Sequence, residues 1–359
     1  MKATVQQAAF ATALDAVCRG MSKDNVNPIY GGVLIEVGDD SMSLRSMNSM
    51  RSIRYEIPAN VDDGGGIVLP GEILAKTVSK MPDSPVSLLS DGSATSVRCG
   101  RARLKLNSIE AERFSTFPEV EPTASISVPR STFTEMAGKA CRYVMREHTG
   151  HPECMGVHVV AGNGMLRMQS TDSYRFFEAS ADVDVGEFDA IVDVASIRDM
   201  ASMAPNETIE VGVSKNQGML ASGSVSYVGR VIYGRFPSLE AIMPESFASK
   251  ATFNPHDALA ALSRIEGIAK QSGKVVLTLH DSTVSLRSSL PERGEAVEEF
   301  DVDASGPDVE IGLSHQFLLE GLKSMGDTVD VGFNGPANPL VMRSSDTCDA
   351  MYLVMPTRI

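Results

Sequence analysis

The chain has 359 residues, 43% of them hydrophobic and 22% charged, with no tryptophan, a composition that excludes fibrous, low-complexity and disordered classes. The formal charge of −14 excludes a uniformly basic nucleic-acid-coating protein, although net charge does not say where the charges sit. No apolar run is long enough to span a membrane and Gln6, Gln7 and Asp15 interrupt the start, so no signal peptide is expected; Cys18, Cys99, Cys141, Cys154 and Cys348, with no C-x-x-C pair, read as reduced thiols of a cytoplasmic protein.

The first expected element is a helix from Val5 to Arg19, where Ala8, Ala11, Ala13, Leu14 and Val17 form an apolar side at helical spacing. After two or three strands, Ile67-Val68-Leu69 leads into a second helix from Gly71 to Met81, and the alternation of Arg103-Leu104-Lys105-Leu106 gives a strand. The order then starts again, with a helix from Ser131 to Glu147 and the strand Ala190-Ile191-Val192 leading into Ser196 to Met203. It starts a third time with His256 to Gln271, a strand from Val275 to Leu279, and Val309-Glu310-Ile311 leading into Ser314 to Met325. The recurrence is numerical: Met81, Met203 and Met325 are spaced by 122 residues twice, and Leu44-Arg45, Leu166-Arg167 and Leu286-Arg287 by 122 and 120. Such a period exceeds the roughly 20–50 residues of solenoid repeats and equals a domain. Three units are expected, 1–125, 126–248 and 249–359, each α+β with two helices packed on antiparallel sheets.

Over the expected helices, taken as 5–19, 71–81, 131–147, 196–203, 256–274 and 314–325, eleven Lys and Arg outnumber eight Asp and Glu. The helices would carry +3 and the rest of the chain −17. The clearest case is 131–147, where Phe133, Met136, Ala137, Ala140 and Val144 share one face and Lys139, Arg142 and Arg146 another. An ordinary solvated face is the plain alternative for any one helix.

Signals for chemistry are weak. His148, His151, Cys154 and His158 are spaced 3, 3 and 4, which matches no standard zinc pattern and reads more simply as histidines on a surface loop. Thr171-Asp172-Ser173 lacks a glycine-flanked elbow, and Thr171 and Asp172 are expected to bond backbone N–H groups of a turn. Gly64-Gly65-Gly66 precedes a strand, not a helix, so it is no phosphate loop. No catalytic residue, metal or cofactor is expected.

Several segments do match a known family. Asn27-Pro28-Ile29, Phe114 to Pro118, the turn from Ser170 to Phe176, Gly234-Arg235-Phe236-Pro237 followed by Ile242-Met243-Pro244, and the ending from Tyr352 to Ile359 together resemble the bacterial DNA polymerase III beta subunit, the replicative sliding clamp. The resemblance covers the whole chain. It implies a non-catalytic processivity factor, a head-to-tail homodimer closing a six-domain ring around duplex DNA, with helices lining the hole and no sequence readout. It also implies a hydrophobic pocket for short linear segments of the replicative polymerase, the clamp loader and repair proteins. Carried over by position, its wall is Cys154, Thr171, Ser173, Tyr174, Arg175, Phe176, Pro237, Ile242, Pro339, Leu353, Val354, Met355, Pro356, Thr357, Arg358 and Ile359. Tyr174 stands where His is common, Phe176 where Leu is, Cys154 for a larger aliphatic and Ala241 for a basic residue, so peptide preference should differ in detail. The DNA-facing set is Lys23, Lys76, Lys80, Lys139, Arg142, Arg146, Arg198, Lys270 and Lys323, while Glu72, Glu135 and Val194 occupy positions where the family favours basic residues. The ring contact would bring the strand with Leu104 and Leu106 near Ile268 of the partner. Tyr352 and Val354 are expected to face inward, leaving Met355, Pro356 and Ile359 to rim the pocket. Two rivals remain: a peptide-binding scaffold that does not encircle DNA, and an enzyme with a metal or serine site on the central unit.

Overall fold

The repeat is one of elements, as a computed structural model describing residues 1–22, 28–118, 121–146, 150–183, 186–214, 217–346 and 348–359 makes plain. Each repeat begins with a short strand, Lys2–Gln6, Ala124–Pro129 or Ser249–Phe253, followed by a helix: α1 (Gln7–Cys18), and in the later repeats the helices Arg130–Ala140 and Pro255–Ser272. A strand, not a helix, therefore comes first. Ala3 and Val5 are buried in alternation and Val5 lies opposite Val86, so two residues expected to start α1 belong to a sheet instead.

The second helix of each repeat follows a strand as expected: α2 (Gly71–Val78) after Gly65–Pro70, and the helices Val194–Met203 and His315–Leu322 after Phe188–Asp193 and Val309–Ser314. In chain order the helices after α2 are α3 (Arg130–Ala140), α4 (Val194–Met203), α5 (Pro255–Ser272) and α6 (His315–Leu322). Met203 ends α4, but Met81 and Met325 lie three residues beyond α2 and α6, in a tighter closing turn whose amides reach Val78 and Leu322 carbonyls. The best-capped helix is α5: Asn254 accepts from the His256 amide at 2.9 Å, Pro255 takes the first turn, and Gly273 (φ 71°) closes the end on the Ala269 carbonyl.

The largest departure is α3, which stops at Ala140 instead of Glu147. Its apolar face is as expected, with Phe133, Met136, Ala137 and Ala140 buried. Beyond it the Arg142 and Tyr143 amides close on Lys139 and Ala140, and the Met145 amide is taken by the Cys154 carbonyl at 2.8 Å. That non-local acceptor replaces the next helical bond, so Arg142 and Arg146 are not on a helix.

The chain separates into two compact units, one of residues 1–133 and 186–231, the other of 134–185 and 232–359. In the first, an antiparallel sheet runs Asn60–Asp63, Lys2–Gln6, Pro85–Ser90, Ala94–Cys99, Ala102–Asn107, with the last at its edge. A second passes from Ala124–Pro129 through Thr208–Val213, Gln217–Ser222, the strand starting at Val225, Arg51–Pro58 and Ser41–Met47 to Gly32–Gly38 and Gly65–Pro70. The second unit holds the order Gly156–Gly162, Met165–Thr171, Arg175–Asp182, Asp349–Val354, Leu340–Ser345, Val329–Phe333, Ser249–Phe253, and a four-stranded sheet with Gly294–Asp301 at one edge. Three hairpins are equivalent, and Leu44 and Leu286 hold the same place in theirs, three residues past the pair that closes the turn; the counterpart in the middle hairpin is Met168 rather than Leu166, and all four are buried.

Candidate functional site

The residues of the expected wall all belong to the second unit. Its centre is the turn between Met165–Thr171 and Arg175–Asp182. The Asp172 carboxylate accepts from the amides of Tyr174 and Arg175, both at 3.1 Å, and Thr171 Oγ1 accepts from the Ser173 amide and donates to the Arg175 carbonyl at 2.7 Å. This is the turn-fixing role expected of Asp172 and Thr171. Ser173 takes φ 76°, a left-handed conformation costly for any residue with a Cβ. The turn throws Tyr174 outward, 64% exposed, with its ring 6.3 Å from that of Phe317.

Arg175 points the other way. Only 7% exposed, it gives Nε to Asp172 at 2.8 Å and Nη1 to Glu320, with its guanidinium 4.2 Å from the Phe317 ring centre and 5.2 Å from that of Tyr143. Burial disfavours the charged guanidinium, but the bonds to Asp172 and Glu320 outweigh it and raise its pKa. Burial likewise pushes Glu320 up, and the bonds from Gln316 and Arg175 overcome that and hold it below the usual carboxylate value. The Tyr143 ring stacks on Phe177 at 4.9 Å, and its hydroxyl donates to the Glu320 carbonyl at 2.9 Å.

The last strand, Asp349–Val354, lies between two others, and Leu353 is as buried as Tyr352 and Val354. The expected alternation fails because both faces of this strand are covered. The tail beyond it is fastened. The Met355 amide donates to the Tyr174 carbonyl at 2.9 Å, the Thr357 amide to the Gly312 carbonyl at 2.8 Å, and Lys274 Nζ to the Arg358 carbonyl at 2.7 Å. A Cβ at Gly312 would come within 2.7 Å of the Thr357 carbonyl oxygen, so the tail can lie there only over glycine. Of the expected wall, Cys154, Thr171, Arg175, Phe176, Leu353 and Val354 are buried, Pro339 and Pro356 are half-buried, and Ser173, Tyr174, Pro237, Ile242, Met355, Thr357, Arg358 and Ile359 are exposed. Burial pushes the Cys154 thiol up to about 11, making it inert packing.

The basic residues fall differently from expectation. Within their observed bounds the helices carry Lys76, Arg130, Lys139, Arg198, Arg264 and Lys270 against Asp15, Glu72, Glu135, Asp199, Asp257, Glu266 and Glu320, so the positive excess disappears. Arg19, Lys80, Arg142, Lys274 and Lys323 sit instead one or two residues beyond the C-terminal ends, where the helix dipole favours cations, and Arg146 lies six residues past the end of α3. Lys80, Arg142, Arg146, Arg198 and Lys323 are exposed. Lys76, Lys139 and Lys270 pair with Glu72, Glu135 and Glu266 one turn earlier, at 2.5, 2.8 and 3.8 Å. Lys23 lies outside the described residues. In the first unit a concavity of about 1150 Å³ is lined by Arg19, Arg51, Lys76 and Asp199, with Arg51 bonded to Asp199 at 2.7 Å.

The edge strand Ala102–Asn107 turns Leu104 and Leu106 inward, Leu106 being only 8% exposed, and presents Arg103 and Lys105 to solvent. Leu106 is thus core of its own unit rather than an exposed contact. In the second unit the edge strand Gly294–Asp301 exposes Glu295, Val297 and Glu299 along with Asp301, and Ile268 on α5 is half-buried. The histidine cluster does not assemble: His151 bonds Glu153, His158 stacks on Phe236 from a strand, and Cys154 is buried, while His148 lies outside the described residues.

Comparison with known proteins follows the same lines. The family profile for the DNA polymerase III beta subunit, N-terminal domain, matches residues 1–118, and that for its C-terminal domain matches residues 240–358. The chain belongs to the DNA polymerase III beta subunit family. The beta sliding clamp of Bacillus subtilis is 23% identical over the full length of both chains, and that of Streptomyces coelicolor 24%. Among solved structures, the B. subtilis DNA polymerase sliding clamp superposes with a TM-score of 0.92 at 23% identity, covering 100% of this chain and 99% of that one. The Pseudomonas aeruginosa sliding clamp bound to griselimycin superposes with 0.94 at 21% over all of both chains. No described helix is long and apolar enough to cross a membrane.

Reading the sequence as a clamp subunit still missed three residues of the site. Gly312 and Lys274 fasten the tail, and neither carries a local signal, because both act on a segment more than forty residues away. Glu320 was counted only as an acidic helix residue, yet it anchors Arg175.

Proposed function

We propose that the protein is a DNA sliding clamp, a non-catalytic processivity factor that encircles duplex DNA and tethers the replicative polymerase through a peptide-binding surface built on its C-terminus. The observation that carries the reading is the fastened tail. A chain end held by Tyr174, Gly312 and Lys274 while Met355 and Ile359 stay 39% and 54% exposed is a built apolar surface, not a frayed end. Tyr174, Pro237 and Ile242 extend it, and Arg175, Phe176, Leu353 and Val354 support it from beneath. We assign the clamp loader and other replication and repair proteins to the same surface, and the protein to the nucleoid within the cytoplasm.

We further propose three clamp domains, 1–125, 126–248 and 249–359, and a homodimer in which the basic edge strand Ala102–Asn107 of one protomer adds to the acidic edge strand Gly294–Asp301 of its partner. Free backbone groups along both edges and opposite charges favour that pairing. Lys80, Arg142, Arg146, Arg198 and Lys323, with Lys23, Lys76, Lys139 and Lys270, would then contact phosphates singly and weakly, which suits a protein that must slide. The test is retention after loading onto circular and linear duplexes. A ring stays on a closed circle in high salt and runs off a linear end; equal loss from both refutes encirclement.

A further inference from the structure

In the second unit the segment after Phe236 crosses one face of the larger sheet as a strap. One end is held by Phe236, whose ring stacks on His158 at 4.6 Å and meets Phe176 edge-on at 6.1 Å. The other is held by Phe247, whose ring occupies the space over Gly332 that a Cβ would fill. Between them the amides of Ile242 and Met243 close a turn on the Leu239 carbonyl, both at 3.0 Å. Beneath the strap lie two cavities, of about 340 and 360 Å³, which meet at Asp330 and Arg343.

Register fixes the floor. Glu178 lies opposite Met351, Met351 opposite Arg343, Arg343 opposite Asp330, and Asp330 opposite Thr252, so one row of side chains crosses five strands. Glu178 and Asp349 line one cavity and Lys250 the other. Among the described residues none of these charges, nor Asp330 or Arg343, has an opposite charge within 4.0 Å, and Arg343 sets Nη2 3.9 Å from the Met243 sulfur instead. The fold thus keeps a polarised groove, acidic at one end and basic at the other, whose charges it does not use among themselves.

We propose that this groove docks an extended segment of a partner protein that carries a lysine or arginine at the Glu178–Asp349 end and an aspartate or glutamate at the Lys250 end. Four inter-strand steps of about 4.8 Å separate the two ends, about 19 Å, which an extended chain spans in about six residues. Leu239, Met243 and Met351 supply the apolar contact that a spacer of small aliphatic residues would meet. The proposal rests on the reading that this unit receives partner segments, and it adds a charge rule outside the C-terminal surface.

The test uses the whole protein with labelled methionine methyls and the probe peptide acetyl-Lys-Ala-Ser-Leu-Ala-Asp-amide. The Met243 and Met351 methyl signals should shift and saturate at low millimolar peptide, while Met355, on the C-terminal surface, stays still. An uncharged probe, acetyl-Leu-Ala-Ser-Leu-Ala-Asn-amide, and the double variant Glu178→Gln/Asp349→Asn should each weaken the response about fivefold or more. No shift of Met243 or Met351 by about 10 mM, or an equal response to the uncharged probe, overturns the proposal. Failure of the C-terminal reading would be separate: Met355 would ignore a polymerase-derived peptide.

Discussion

Replacing Arg175 with methionine keeps most of the buried stem and removes the cation from the interior of the second unit. Two charge-assisted hydrogen bonds at about 1.5–3 kcal/mol each and a ring contact of about 0.5–2 kcal/mol set a ceiling near 8 kcal/mol. The carboxylates left behind are only partly desolvated, Asp172 being 17% and Glu320 27% exposed, so water takes much of the load. A loss of about 3 kcal/mol is expected, which for a unit of this size lowers Tm by about 6–12 °C. The pH dependence is a second readout. Glu320 is held below its unfolded value, so it contributes stability above about pH 4.3, and that contribution disappears as pH falls through the depressed folded value. Without Arg175 the largest opposing influence, burial, remains, and the deficit of the variant should be greatest at neutral pH and shrink in acid. Thermal melts of wild type, Arg175→Met and Arg175→Met/Glu320→Gln at pH 7 and pH 4 measure both, the double variant recovering part of the loss. A variant that melts within about 1 °C of wild type would show that the guanidinium is a peptide contact rather than an internal tie.

Gly312→Val should displace the tail by driving a side chain into the Thr357 carbonyl, and deletion of Arg358 and Ile359 should remove its end; both should weaken a polymerase-derived peptide about tenfold in fluorescence polarisation with Tm nearly unchanged, and equal affinity would place the peptide elsewhere. Arg103→Glu/Lys105→Glu should shift sedimentation from dimer to monomer, and pairing it with a charge-reversed partner strand, Glu295→Lys/Glu299→Lys, should restore the dimer; an unshifted dimer refutes the edge contact. Alanine at Lys139, Arg142 and Arg146 should make DNA retention less steeply salt-dependent with the fold intact, and an unchanged salt slope would mean these residues face away from DNA.

What the sequence made legible was what local spacing records. The threefold recurrence, the apolar face of α3, the strands leading into α2, α4 and α6, and the turn chemistry of Thr171 and Asp172 are all decided within a few residues. Errors fell where distant groups intervene. The helix ending at Ala140 is cut short by a carbonyl from Cys154, Val5 is recruited by Val86, and Leu353 is buried along with Tyr352 and Val354 because both faces of its strand are covered. The charge pattern misled for a related reason: counting cations by helix depended on ends that, for every helix but α4, lie one to seven residues earlier than periodicity implied. The residues that fasten the tail left no trace in sequence, since a glycine in a strand and a lysine at a strand start look ordinary until the last residues are laid across them.

Three of the lysines assigned to DNA already hold a carboxylate one turn away, Glu72, Glu135 and Glu266. On a surface facing a duplex, each such lysine reaches a phosphate only by letting go of its own anion, and regains that anion when the phosphate moves on. If these lysines face DNA as proposed, the exchange would level the energy between one register of the DNA and the next. Friction along the helix axis would then fall, and the diffusion coefficient of the proposed ring would be set by the spacing of glutamate and lysine within a single helical turn.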